Sequence, residues 1–186
     1  MKRLFDVSVS LSLLFLLLPV MMVIAVMVRV SSPGPSIYFS NRVGLNNRIF
    51  AMPKFRTMKT NAPTVATHLL ANPNSYLTSN GSFLRRTSLD ELPQLWSVLI
   101  GDMSLVGPRP ALFSQTDLIE ARTLVQVHLL RPGITGLAQV NGRDNISIEQ
   151  KVELDRQYFL NRSFWLDLKI ILSTVIAVFR REGISH

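Results

Sequence analysis

The chain has 186 residues, enough for one domain with a real core, and 47% are hydrophobic against only 17% charged, which argues against disorder and leaves membrane contact open. Lysine and arginine outnumber aspartate and glutamate by 20 to 12, for a formal net charge of +8, which suits an anionic partner such as nucleic acid, acidic lipid or a phosphorylated substrate. No cysteine is present and the three histidines (His68, His128, His186) are scattered, which excludes disulfides, thiol catalysis and zinc-thiolate sites and argues against a histidine-rich metal centre.

The N-terminus carries Lys2 and Arg3, then an almost uncharged stretch from Val7 to Val28 that ends at Arg29. That run reaches the roughly 20 residues a helix needs to cross a bilayer. It is longer than the apolar region of a cleaved signal peptide, and no small-x-small cleavage site follows it. A simple spanning anchor is the stronger alternative, but two features oppose it. Pro19 sits mid-segment, where it deletes a backbone hydrogen bond and kinks or breaks the helix. Positive residues flank both ends (Lys2 and Arg3, then Arg29 and Arg42), so the positive-inside bias selects no orientation. A helix that enters one leaflet, bends at Pro19 and returns satisfies both facts. Ser8, Ser10 and Ser12 can bond backbone near such a bend or face a neighbour.

SSPGPS (31–36) is a breaker. IYF (37–39) and RIFAM (48–52) read as short strands around the turn-prone VGLNN, a hairpin. KFRTMK (54–59) follows, then a polar surface loop over 60–82 with room for one helical turn. PQLWSVLI (93–100) reads as a helix, GDMSLVGPRP (101–110) as a Gly/Pro-stiffened loop, and 111–130 as an amphipathic helix with Leu118, Ala121, Leu124, Val125 and His128 at helical spacing. RPGITGLAQVNGRDN (131–145) is loop and short strand with a tight turn at Asn141-Gly142. Residues 147–160 form a polar helix. The segment 164–181 is a long apolar helix interrupted by Asp167 and Lys169, whose clean run is too short to span; it packs in the core or lies at the membrane interface. No internal repeat and no second domain are visible.

The candidate chemistry sits in RRTSLDELPQLW (85–96). Ser88 and Glu91 stand in the S-x-x-E relation of a capping box. Pro93 complicates that reading, because a helix capped at Ser88 would put the proline deep enough to delete a needed donor. Proline prefers the first turn, which starts the helix later, near Glu91 or Leu92. In either case Asp90 and Glu91 lie at or just ahead of a helix N-terminus, which favours ionised acids and attracts phosphate. Arg85 and Arg86 can neutralise a diphosphate or keep the carboxylates ionised. One carboxylate can attack phosphorus while the other binds a metal. A chain without cysteine and poor in histidine has few other nucleophiles to offer.

The string RRTSLDELPQLWSVLIGDMSLVGPRP (85–110) resembles the core of the bacterial sugar transferases, the monotopic polyprenyl-phosphate phosphoglycosyl transferases. PGPSIYFSNRVGLNNRIFAMPKFRTM, RPGITGLAQVNGR and LDLKIILSTV extend the resemblance over nearly the whole chain, in the family's order. It implies transfer of a sugar 1-phosphate from a UDP-sugar to polyprenyl (undecaprenyl) phosphate, with release of UMP, as the first membrane step of glycoconjugate synthesis. It further implies that Asp90 forms a covalent phospho-sugar intermediate, that Glu91 binds Mg²⁺, and that the membrane helix is re-entrant and broken at Pro19. The setting implied is the bacterial inner membrane with the catalytic domain on the cytoplasmic face, and a homodimer is allowed.

Residue by residue, the resemblance places Lys54 and Arg85 in the active site beside the acid pair. Arg109, held between Pro108 and Pro110, suits a phosphate clamp, and Arg143 matches a position near the nucleotide. Asp167, a charge within an apolar segment, needs a partner; an active-site cation or a structural one would serve. Asp155 matches another family acid. Leu18 replaces a frequent serine before Pro19, Leu137 replaces a usual tryptophan, and Pro53 is unusual before Lys54. The expected architecture is α+β: a membrane-embedded re-entrant helix (1–30) and a mostly helical catalytic domain (31–186) with a small β-hairpin and interfacial helices. Partners are a UDP-sugar, polyprenyl phosphate and membrane lipids. Nucleic acid is not expected, since no base-reading helix or aromatic stacking platform accompanies the basic charge.

Overall fold

The computed structural model describes residues 1–63, 72–142 and 146–180. Helix α1 runs from Lys2 to Ser31; thirty residues at 1.5 Å rise span about 45 Å. Among the described residues it is the one helix long and apolar enough to cross a membrane, and only 11% of its most apolar window is buried. That share is too low for the core helix of a soluble protein. Leu11, Phe15, Leu16, Leu18 and Val23 are more than half exposed.

The other stripe of α1 is covered along its length. Phe5, Val9, Leu13, Leu14 and Leu17 pack on the main core of Met52, Leu95, Val98, Met103, Leu105, Val106, Tyr158 and Ile170. Ile24 and Val28, one turn apart, pack on Phe55 and Leu84, each such burial contributing about 1.5–3 kcal/mol. The helix continues through Pro19 rather than ending there. A proline removes one ladder bond, and apolar contacts at Leu14, Leu17 and Met21 hold the backbone on both sides of it.

Polar groups fasten both ends of α1 to the same body. Lys2 reaches Asp167 at 2.7 Å, and Arg3 donates to the carbonyls of Val98 and Leu99. Asp6 accepts from Ser104 Oγ at 2.8 Å and from the Leu105 amide. At the far end, Ser36 Oγ donates to the Ala25 carbonyl and Asn80 to that of Met27.

The expected hairpin forms from β1 (Ile37–Val43) and β2 (Ile49–Phe55), antiparallel with Tyr38 opposite Lys54 and Arg42 opposite Phe50. Pro53 lies on β2, an edge strand of the three-stranded sheet, where a missing donor can face outward. Helices α2 (Gly81–Arg86) and α3 (Gln94–Ile100) follow. The stretch expected as a plain loop contains a short strand, β3 (Ser104–Val106), and β4 (Ala111–Leu112) adds to β1. The helix expected over 111–130 is shorter: α4 covers Thr116–Leu124. Pairing of Ala111–Leu112 removes its start, and Gln126, with φ 63°, ends the regular backbone before a 3₁₀ turn at Val127–Leu129.

Strand β5 (Gly133–Thr135) pairs parallel with β3, followed by α5 (Leu137–Val140). The polar helix α6 (Ile148–Asn161) opens on a true capping box between Ser147 and Gln150. The last helix, α7 (Phe164–Arg180), keeps Ile170 in the core while Trp165, Leu172, Val175 and Ile176 are exposed, an apolar face of the kind expected at a membrane interface.

Candidate active site

Between α2 and α3 the chain makes two abrupt turns. Ser88 takes a left-handed conformation (φ 55°) and caps nothing with its side chain; Leu89–Glu91 form a single 3₁₀ turn, and α3 begins only after Pro93. The capping box between Ser88 and Glu91 therefore does not form, because a left-handed Ser88 cannot present its hydroxyl to the helix. The helix starts later than the Glu91 or Leu92 expected, at Gln94 with Pro93 as its N-cap, because Leu89–Glu91 form a turn of their own. Leu89 and Leu92 pack on the apolar cluster of Ile24, Val28, Phe55 and Leu84. The acids are thus carried on a turn with an apolar residue on each side, seated on that cluster.

Lys54, on β2, places its Nζ 2.7 Å from Glu91 Oε1, and Arg109 Nη2 lies 3.1 Å from the same oxygen. Arg85, at the end of α2, donates from Nε to Thr57 Oγ1 at 3.0 Å; its charge acts on Asp90, and burial lowers its own pKa. Asp90 is 7% exposed, and among the described residues no side chain hydrogen-bonds its carboxylate. Burial, reinforced by Glu91 and opposed by Lys54, Arg85 and Arg109, raises its pKa to about 6. The group is thus a carboxylate at neutral pH, poorly solvated and ringed by cations, as a nucleophile should be.

The segment KFRT uses each residue differently. Lys54 reaches Glu91, and Phe55 enters the apolar cluster under α1. Arg56 donates to the carbonyls of Ser32 and Pro33, and Thr57 holds Arg85. Sequence reasoning missed Thr57 and also Arg42. Arg42, on β1, is close enough to Glu91 and Arg109 for both to act on its charge. Burial first, then Arg109, lowers its pKa to about 10. Its place in a strand on the same face as Tyr38, opposite Lys54, was the available signal.

Arg109 rides a loop whose backbone is packed tightly. A Cβ on Gly133 would drive into the Gly107 amide, and one on Gly107 into the Arg131 carbonyl. The VGPRP and RPGITG segments therefore touch backbone to backbone, and Pro108 accepts from the Gly133 amide at 2.9 Å.

The structure brings together Asp90, Glu91, Lys54, Arg85 and Arg109, with Pro108 supporting the last. Asp167 stands elsewhere: Lys2 and the Tyr158 hydroxyl (2.6 Å) are its partners. It ties α1, α6 and α7 together. Asp155 pairs with Arg122. Arg143 lies outside the described residues, and Pro19 lies within α1.

Mg²⁺ takes one or two carboxylates and completes its shell with water and substrate phosphate. Glu91 offers one such carboxylate, and among the described residues no group of three or more His, Cys, Asp or Glu side chains is placed to hold a metal ion. The donors suit an ion bound jointly with a substrate, not one held in an all-protein cage.

Residues 1–181 match the bacterial sugar transferase family. The sugar transferase EpsL of Bacillus subtilis, itself uncharacterised, is 43% identical over 186 residues, which is 100% of this chain and 91% of that protein. A UDP-glucose:undecaprenyl-phosphate glucose-1-phosphate transferase of Klebsiella pneumoniae is 42% identical over 96% of this chain and 40% of its own length. An undecaprenyl-phosphate galactose phosphotransferase of Salmonella typhimurium is 38% identical over 98% of this chain and 41% of its own. The chain therefore spans about two fifths of the length of these last two relatives.

Proposed function

The chain belongs to the bacterial sugar transferase family, and from that premise we propose that it transfers a sugar 1-phosphate from a UDP-sugar to polyprenyl phosphate. The observation that carries this reading is the buried Asp90 carboxylate, free of side-chain hydrogen bonds among the described residues and set within a ring of cations. The undecaprenyl-phosphate sugar transferases among its relatives support the substrate classes.

In the first step an Asp90 oxygen attacks the sugar-bearing phosphorus. The bond from that phosphorus to the bridging oxygen breaks, and the electron pair leaves with UMP. In the second, an oxygen of the polyprenyl phosphate attacks the same phosphorus and frees the Asp90 carboxylate. Arg109, Lys54 and Arg85 hold and neutralise the phosphate oxygens, on which charge accumulates. Glu91, with the substrate phosphates, would hold Mg²⁺, which supplies further neutralisation of the diphosphate when bound.

The acceptor's lipid nature gives α1 its purpose. A helix fastened to one globular body at both ends, with cations at both ends and an exposed apolar middle, fits a re-entrant segment dipping into one leaflet. The catalytic domain then rests on the cytoplasmic face of the inner membrane. Purified protein incubated with a panel of UDP-sugars, Mg²⁺ and undecaprenyl phosphate tests the reaction: at least one UDP-sugar should release UMP over many turnovers only while lipid-linked product forms, with at most one equivalent per enzyme released in its absence. UMP release of equal rate without the lipid would instead identify a sugar-nucleotide hydrolase.

A further inference from the structure

Arg122 on α4 is 8% exposed and Asp155 on α6 is 1% exposed. Arg122 donates from Nε (2.9 Å) and Nη2 (2.6 Å) to one oxygen of Asp155, Oδ2. Those two bonds tie α4 to α6, and a purely architectural ion pair would need nothing more. The remaining branch does something else: Nη1 donates to the main-chain carbonyl of Arg109 at 2.8 Å.

That carbonyl belongs to a loop with an unusual degree of restraint. Pro108 and Pro110 have fixed φ and no N–H to offer. The three successive carbonyls of Pro108, Arg109 and Pro110 each accept a hydrogen bond, from a different part of the fold. The donors are the Gly133 amide (2.9 Å), Arg122 Nη1 (2.8 Å) and Arg42 Nη1 (3.2 Å). The outer two come from a backbone amide on β5 and a strand residue already fixed by Ser40. The middle one, at the residue whose guanidinium reaches Glu91, comes from a side chain that Asp155 must hold in place.

We propose that Arg122, anchored by Asp155, is a positioning residue for Arg109: it pins the Arg109 carbonyl so that the guanidinium meets Glu91 and the substrate phosphates in one fixed orientation. This rests on the reading of Arg109 as a phosphate contact in the transfer reaction. A misplacement of about 1 Å in such a group costs on the order of 10²-fold in rate. The chain thus devotes a buried charge pair, seated away from the reacting atoms, to the geometry of one active-site arginine.

The test is a double-mutant cycle in the full-length chain. The paired change Arg122→Met with Asp155→Leu removes both charges together, so no unpaired charge is left buried, and thermal unfolding checks that the variant folds. In the wild-type background, kcat/KM for the UDP-sugar should fall about 10- to 100-fold. In an Arg109→Ala background, assayed at high enzyme concentration, the same paired change should cost less than about twofold, because the group it positions is gone. Equal losses in both backgrounds would overturn the proposal and mark the pair as a general structural element, as would a folded paired variant with wild-type kinetics. If Arg109→Ala alone keeps wild-type kinetics, the phosphate role of Arg109 and this proposal fall together while the reaction stands. If wild-type protein releases no UMP from any UDP-sugar, the reaction itself is misassigned and the inference goes with it.

Discussion

Asp90 sits in a conflict that an active site can exploit. Its ordinary pKa of 3.8 is raised to about 6, first by burial, so the native chain binds a proton there more readily than the unfolded chain does. Its ionisation therefore costs stability as pH rises from about 4 to about 6. The full cost of about 3 kcal/mol is present above that window and absent below it. Asp90→Asn should accordingly abolish turnover yet raise the unfolding free energy at pH 7.5 by up to about 3 kcal/mol, with the gain disappearing near pH 4. Chemical denaturation at the two pH values checks this, and an Asn variant less stable at pH 7.5 would contradict it. The wild-type rate should fall as pH drops through about 6, where Asp90 takes up its proton. Lys54→Met removes the 2.7 Å partner of Glu91 and should lower kcat/KM about 10²-fold, read from initial UMP release. The acids and Lys54, Arg85 and Arg109 were legible because each lies within a contiguous motif. Arg42, Thr57 and Arg122 were not: they reach Pro110, Arg85 and Asp155 across 68, 28 and 33 positions of chain, separations that periodicity in one sequence does not encode.

Among the elements, the parallel pair β3–β5 shapes the Arg109 loop, and only β5 was visible in the sequence, as the short strand expected within 131–145. Each strand has three residues, too few to show alternation, and β3 is buried throughout. Its residues therefore read as a loop flanked by glycine and proline. What the pair does is press VGPRP against RPGITG at a separation only glycine permits. Gly133→Ala would push a methyl into the Gly107 amide and should displace the Arg109 loop. A loss of about 10²-fold or more in kcat/KM is expected, together with a drop in the unfolding midpoint; wild-type kinetics from Gly133→Ala would show that the loop tolerates the shift. The hairpin, α3, α6 and α7 were legible because turn residues or helical spacing announce them. The helix expected over 111–130 failed at both ends for tertiary reasons, strand pairing at Ala111–Leu112 and a left-handed Gln126. The capping-box pattern, S-x-x-E at Ser88 and S-x-x-Q at Ser147, fared differently in its two places. Ser147 caps α6 with Gln150 as its N3 partner, while Ser88, in the left-handed region, lets the same chemistry go unused.

At the scale of the whole molecule, α1 is a helix long and apolar enough to cross a membrane that also packs on the body carrying the candidate site. Its N-terminal turns hold α3, β3 and α7 through Arg3, Asp6 and Lys2, and its C-terminal half shares an apolar cluster with Phe55, Leu84, Leu89 and Leu92, the last two flanking Asp90 and Glu91 in the chain. The re-entrant path proposed for α1 would keep these contacts on one side of the bilayer. The absence of cysteine makes the topology directly measurable. A single cysteine placed ahead of Met1 and another at Val30, in separate variants, should both react with a membrane-impermeant maleimide from the cytoplasmic side of inverted vesicles. Labelling of the two from opposite sides would establish a spanning helix. Amphipathic and apolar stretches were evident in the sequence, but the attachment of the N-terminal turns of α1 to α3 and β3 was not, since it depends on contacts between residues nearly a hundred positions apart. The covalent step proposed at Asp90 is one that intact-protein mass spectrometry can observe directly. Wild-type protein mixed with its UDP-sugar and Mg²⁺, without lipid acceptor, should gain the mass of one phospho-sugar, mapped to Asp90 and lost on adding undecaprenyl phosphate. Turnover to lipid-linked product by Asp90→Asn at a rate near wild type would contradict the account.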